Sequence, residues 1–174
     1  MRFQKLWLVV VAAVAAAGMT DVVRSYERPP PRETFVVSVS EEFILPLHNR
    51  GDTVIGMMES MEGLLYRARV DVIFAGHVHA YERFDRVYNQ ETDNCAPMHI
   101  TIGDGGNRGH PGNKYKEPQP KISLFREASF GHGEFDVVNA SHALWSWHRN
   151  DDDEAVRSDS IWLRNLASDP ACIN

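Results

Sequence analysis

His77 and His79 are the side chains of this sequence best placed to do chemistry. They follow the run Val70-Asp71-Val72-Ile73-Phe74-Ala75-Gly76, whose β-branched and aromatic residues read as a buried strand over 70–75. If extended backbone continues through the pair, side chains at i and i+2 share a face and the two imidazoles project together. Two neighbouring imidazoles can hold one metal ion or serve two adjacent ions. Two solvated histidines at a strand end are the plain alternative. Gly76 reads as a position kept bare where something approaches the backbone closely. Arg83, just beyond, would either orient a phosphate or pair with a carboxylate.

The elements that must position this pair come from periodicity. Val54, Met57, Met58, Met61, Leu64, Leu65 and Ala68 recur at three- and four-residue steps, which predicts an amphipathic helix over 53–68 capped by Asp52 or Thr53. Its methionines read as core filler. Helix 53–68 feeding strand 70–75 makes half of an α/β unit. A second strand is expected at 98–102, ended by Gly103-Asp104-Gly105-Gly106, where Asp104 reads as a turn former. Residues 108–124, rich in Pro, Gly and Lys, read as a surface loop. Two alternating runs, 133–138 and 142–148, predict antiparallel strands joined at Asn139-Ala140-Ser141, with a further strand at 160–163. Phe35–Val39 and Phe43–Leu47 form two more apolar stretches, preceded by the Pro-rich tract Pro29-Pro30-Pro31, which forbids helix.

Composition narrows the class. A chain of 174 residues, 43% hydrophobic, can bury one modest core. A net charge of -6 argues against an electrostatic nucleic-acid binder. Arg2 and Lys5, the apolar run Leu6–Ala17 and the small residues Ala15-Ala16-Ala17 have the layout of a secretory signal peptide. The run is too short for a permanent membrane anchor, which needs about 20 apolar residues. A secreted chain makes Asn139-Ala140-Ser141 an acceptor triplet for N-glycosylation. The two cysteines, Cys95 and Cys172, would pair internally, pair between chains or stay free, with Cys172 in a tail expected to fray. His110, His132, His142 and His148 are scattered and read as packed or solvated. Asp151-Asp152-Asp153-Glu154 lacks the alternation and central Gly of a calcium loop and reads as a solvated acidic turn.

Gly76-His77-Val78-His79-Ala80-Tyr81-Glu82-Arg83 resembles the last metal motif of the plant purple acid phosphatases, in the metallophosphoesterase superfamily. Three further segments resemble that family in its order: Ile100-Thr101-Ile102-Gly103-Asp104-Gly105-Gly106-Asn107, Phe125-Arg126-Glu127-Ala128-Ser129-Phe130-Gly131-His132-Gly133, and Trp145-Ser146-Trp147-His148-Arg149-Asn150. Tyr26-Glu27-Arg28-Pro29-Pro30-Pro31-Arg32 is similar to the family's mature amino terminus. The resemblance implies an α/β fold: the carboxy-terminal part of a metallophosphoesterase α/β sandwich, incomplete, followed by a C-terminal antiparallel β region. It divides the chain into a signal peptide (1–17), an N-terminal extended segment (18–50), the last part of a metallophosphoesterase domain (51–92), a purple acid phosphatase C-terminal region (93–166) and a tail (167–174).

The same resemblance implies hydrolysis of phosphate monoesters at a dinuclear centre of Fe plus Zn or Mn, in a protein that is extracellular, in the cell wall or vacuolar. His77 would ligate the divalent ion and His79 the ferric ion. Leu45-Pro46-Leu47-His48 places His48 as a candidate contact to substrate phosphate. Cys95 stands near where some large family members bridge two chains, implying a homodimer.

The family's other ligand motifs do not appear in order. Gly51-Asp52-Thr53-Val54-Ile55 has Ile where the colour-giving tyrosine should be, no Gly-Asn-His occurs, and Asp104-Gly105-Gly106 follows the histidines instead of preceding them. A start and an end joined without the middle resembles an internally deleted product. A catalytic metal site normally uses three protein ligands plus an open position, and two cations without a bridging carboxylate repel. The expected activity is therefore impaired. The alternative is a non-catalytic remnant binding one metal weakly. Loss of flanking strands is expected to leave strand 70–75 at an open edge, inviting association. An all-β His-x-His fold of the cupin kind fits less well, since an α/β unit precedes the pair and Glu82 lies only three residues after His79.

Overall fold

The computed structural model describes residues 35, 37–40, 53–106, 115, 117–150 and 156–173. The proposed signal peptide, His48, His110, the Pro-rich tract, the stretch Phe43–Leu47 and the acidic run at 151–154 lie outside them.

Among the described residues one α-helix and nine strands are arranged as helix, mixed sheet and antiparallel sheet. Strand β1 (Val37–Ser40) is followed by α1 (Thr53–Arg67) and β2 (Val72–Ala75). Then come β3 (Tyr81–Tyr88), the two-residue β4 (Glu91–Thr92), β5 (Met98–Ile102) and β6 (Ser123–Glu127). β1, β2 and β5 run parallel, while β3 pairs antiparallel with β5, β4 and β6. The three remaining strands, β7 (Gly131–Val137), β8 (His142–Arg149) and β9 (Val156–Arg164), form a separate antiparallel meander.

Alternation along the strands explains the layering. Val72, Phe74, Tyr81, Met98 and Ile100 leave one face of the mixed sheet and meet Phe135, Ala143, Trp145, Trp147 and Leu163 of the meander in one core. Phe74 is the hub, with ring centroids 4.8 Å from Trp145 and 6.0 Å from Phe135. On the opposite face Val70, Ile73, Phe84 and Val87 pack beneath Met61, Leu65 and Ala68 at the end of the helix. α1 stops where Arg69 turns left-handed (φ 52°) and Val70 N–H donates to the Leu65 carbonyl, the closure that satisfies a helix's last carbonyls.

The predicted elements are present: β5 at the expected 98–102, α1 at 53–67 and β2 at 72–75 with shifted ends, β7 at 131–137 and β8 at 142–149 slightly longer than expected, and β9 at 156–164 extending well beyond the expected 160–163. Strand β1 falls in a stretch read only as apolar, and β3, β4 and β6 were not expected. β6 begins inside the stretch read as a loop. β3 carries Glu82, Arg83, Asp85 and Arg86, charges that hide its alternation. They are tolerated because they are paired. Asp159 on β9 accepts from Arg83 Nε at 2.7 Å and Nη2 at 2.9 Å, and from the Tyr81 hydroxyl at 2.7 Å. Ser123 donates to Glu82, and Arg86 donates to the Ala96 and Arg164 carbonyls. Of the two roles open to Arg83, the structure shows carboxylate pairing.

Three expectations are corrected. β2 is not an edge strand: β1 and β5 flank it and its residues are buried on both faces. The tail is tied down through two 3-10 turns, Leu166–Ser168 and Pro170–Cys172, with the Asp71 carboxylate accepting from Leu166 N–H at 2.6 Å. Cys95 does not bridge two chains here, because it is bonded to Cys172.

Closing 77 residues of separation by that disulfide restricts the unfolded chain by roughly 4.5 kcal/mol in the chain-entropy view. Replacing both cysteines by serine should lower the unfolding free energy by about 2–5 kcal/mol in chemical denaturation. Asp159→Ala strands the buried Arg83 and Tyr81, and should cost about 3–5 kcal/mol in the same measurement.

Candidate functional site

β2 ends at Ala75, and the chain then crosses to β3 through residues 76–80. This loop carries both histidines, and it is not the extended backbone expected. Val78 N–H donates to the Gly76 carbonyl at 2.7 Å and Ala80 N–H to the Val78 carbonyl at 2.8 Å. These bonds define two consecutive three-residue turns, centred on His77 and His79. His77 has φ 60°, a left-handed conformation that costs a non-glycine residue on the order of 1 kcal/mol or more and is kept only where its surroundings enforce it.

What enforces it is visible around the loop. Val78 and Ala80 are buried with Ala75, packed against Tyr115, while His77 and His79 are exposed. Both histidines are thus open to solvent, on a loop of tight turns and not on extended backbone. The close approach read into Gly76 lies elsewhere. A Cβ on Gly76 would meet nothing within 4 Å, whereas one on Gly103 would stand 2.1 Å from the Val78 carbonyl oxygen. Gly103 is therefore the residue that must be bare.

Beside it, Asp104 is not a surface turn former. It is fully buried, its Oδ2 accepts from the Trp147 indole N–H at 2.8 Å, and its carbonyl accepts from Gly131 N–H. Among the described residues its Oδ1 has no hydrogen-bond partner. Burial pushes its carboxyl up to about 6, with the Trp147 donor opposing. Only the tertiary position of Trp147 reveals this residue. The Gly103-Asp104-Gly105-Gly106 string by itself signals a turn.

The remaining candidates are dispersed. His148 on β8 lies opposite His132 on β7, ring centroids 5.3 Å apart. Asn139 is exposed in the β7–β8 turn, its side-chain oxygen accepting from Ser141 N–H, the Ser141 hydroxyl and His142 N–H. Among the described residues no three His, Cys, Asp or Glu side chains converge on a common point. Among the described residues this pair of nitrogen donors is joined by no third ligand and no bridging carboxylate, so those residues by themselves do not fit a two-cation centre. The pair does fit a single weakly held ion completed by water. No helix among the described residues is long and apolar enough to cross a membrane.

Comparison with known proteins places this geometry. Residues 96–158 match the family model described as iron/zinc purple acid phosphatase-like protein C. Probable purple acid phosphatase 20 of Arabidopsis thaliana is 62% identical over 118 residues, covering 68% of this chain and 28% of that protein. Fe(3+)-Zn(2+) purple acid phosphatase 12 of Arabidopsis thaliana is 48% identical over 126 residues, covering 66% of the chain and 26% of the relative. The chain thus spans less than a third of the length of these curated relatives. Among solved structures, the purple acid phosphatase PPD1 from yellow lupin seeds superposes with a TM-score of 0.58 at 18% identity, over 74% of this chain and 24% of that one. That likeness concerns the fold.

The buried carboxyl has a testable sign. Asp104 binds its proton more tightly folded than at its ordinary value of 3.8. The folded chain therefore holds extra protons between those two values, and stability falls as pH rises through about 6. Asp104→Asn should thus be more stable than the native chain at pH 7, by up to about 3 kcal/mol, with the difference vanishing near pH 4. Denaturation midpoints of the two proteins across that range check it.

Proposed function

From the premise that the carboxy-terminal part of this chain belongs to the plant purple acid phosphatase family, we propose that its 76–80 loop is one half of a phosphomonoester-hydrolysing metal centre. In this chain that half binds a single transition-metal ion weakly and turns over phosphate esters poorly. The observation carrying this reading is the donor set. His77 and His79 stand exposed on one loop, in a chain that spans 28% of a purple acid phosphatase relative's length. Imidazole nitrogens suit zinc, iron and manganese, and one relative's name carries Fe(3+) and Zn(2+). In a complete centre, His77 would face the divalent ion and His79 the ferric one. Such ions supply an activated water and charge stabilisation, and this loop's contribution is to fix where two ligand nitrogens sit. His48 is retained as the candidate contact to substrate phosphate, outside the described residues.

The setting proposed for this activity is extracytoplasmic. A signal peptide at 1–17, the Cys95–Cys172 disulfide and an exposed Asn139 open to glycosylation agree with an oxidising route, since disulfides persist there. An endoglycosidase-sensitive mass shift in the secreted chain, lost in Asn139→Gln, would support the modification. An unshifted mass would refute it.

The decisive experiment combines titration and turnover. Zinc titrated into the metal-free chain by calorimetry should show one site, and His77→Ala or His79→Ala should weaken it at least about tenfold, or ~1.4 kcal/mol. Para-nitrophenyl phosphate hydrolysis at mildly acid pH, after loading with iron and zinc, should stay close to the buffer rate, and the iron-loaded protein should lack a visible charge-transfer band. Family-like turnover, or zinc heats unchanged by both substitutions, would overturn the reading.

A further inference from the structure

We propose that Asp104 is a positioning residue for the histidine loop, closing a ring of contacts that holds His77 and His79 in their turn geometry. The inference rests on the reading of those two histidines as a metal-binding pair. Its structural basis is a closed circuit. The loop is met from below by Gly103, on which the Val78 carbonyl sits too close for any Cβ. At the far end the loop runs directly into Tyr81, whose ring stacks on Trp147 at 4.3 Å and 5°. The Trp147 indole N–H donates to Asp104, and Asp104 adjoins Gly103. Loop, Tyr81, Trp147, Asp104 and Gly103 thus return to the loop, with a single hydrogen bond joining β8 to the turn after β5.

Two further contacts stiffen the circuit. Gly131 N–H donates to the Asp104 carbonyl, and Gly131 itself lies under the Trp147 indole, where a Cβ would stand 2.4 Å from the ring. The Tyr81 hydroxyl is fixed from both sides, donating to Asp159 and accepting from the Trp145 indole. The Tyr81 ring therefore cannot follow the loop if the loop relaxes, and strain at His77 has no local outlet. The Asp104 Oδ1, which finds no donor among the described residues, points the same way. A buried oxygen without a donor costs stability, so the carboxyl is better explained by what its other oxygen holds than by a contribution to folding.

The test uses the full chain, free of metal, with histidine side-chain nitrogen–proton correlation spectra as the readout and zinc titration beside it. Asp104→Ala should move and broaden the His77 and His79 ring resonances while leaving His142 unchanged. It should also weaken zinc binding by about 10–100-fold, the usual effect of losing support behind a ligand. Asp104→Asn, which keeps an acceptor for the Trp147 indole, should preserve both ring resonances and zinc affinity. Should Asp104→Ala lose its near-ultraviolet circular dichroism and fail to fold, Trp147→Phe decides instead: it keeps an aromatic ring against Tyr81 and removes the donor, and should move the same two resonances. Histidine resonances unmoved by the decisive variant, or Asp104→Asn as damaging as Asp104→Ala, would overturn the proposal. A native chain that binds no zinc would sink the metal reading alone, because the ring resonances report the loop without any metal.

Discussion

The carboxylate of Asp159 belongs to the antiparallel meander, yet all three hydrogen bonds it accepts from side chains come from Tyr81 and Arg83 of the mixed sheet. Two sheets joined only by apolar contact can slide, because burial energy carries little direction. A buried bidentate pair with a tyrosine on the same oxygen fixes their relative register. The rest of the molecule takes its geometry from that registration. Phe74 meets Trp145 and Phe135, Tyr81 lies flat on Trp147, and the Trp145 indole reaches the Tyr81 hydroxyl. Burial raises the Tyr81 phenol far above its ordinary range, with Asp159 adding to the effect, so it serves as a hydrogen-bond donor and not as an anion.

The histidine loop inherits its shape from this arrangement. Between a strand end locked in the sheet and a tyrosine locked in the core, five residues must reverse direction. They do so through two tight turns, with Val78 and Ala80 inward and His77 and His79 outward. The positive φ at His77 is the local cost, on the order of 1–3 kcal/mol. It is sustained by Gly103 beneath and by the aromatic stack beyond. A loop so constrained presents two ligand atoms with little conformational freedom left to lose, which is the part of a metal centre that a scaffold can supply before any ion arrives.

Much of this was legible residue by residue. The methionine and leucine spacing located α1, the apolar run located β2, alternation located β7 and β8, and β5 was placed just ahead of the Gly-rich string at 103–106. β3 was hidden because Glu82, Arg83 and Arg86 look solvated until their partners, 10 to 78 positions distant, are known. β6 was hidden because Pro and Gly in the preceding stretch dominate its composition. The histidines were found by spacing, but extended backbone was expected through the pair, and the structure carries them on tight turns with both exposed. Gly76 was credited with a close approach that belongs to Gly103, since a sequence shows where glycines are and not what stands against them.

By itself the sequence determined the chemistry on offer and its limit: two imidazoles of the right kind and spacing, a family resemblance carried by four ordered motifs, and the absence of the ligand motifs that would complete two ions. Those are matters of residue identity, which folding does not alter. Tertiary structure alone decided that Cys95 meets Cys172, that Arg83 serves Asp159, and that Asp104 lies buried beneath Trp147. Each of those pairs residues between 43 and 77 positions apart. Such meetings are set by how two sheets pack, a property that no local pattern encodes.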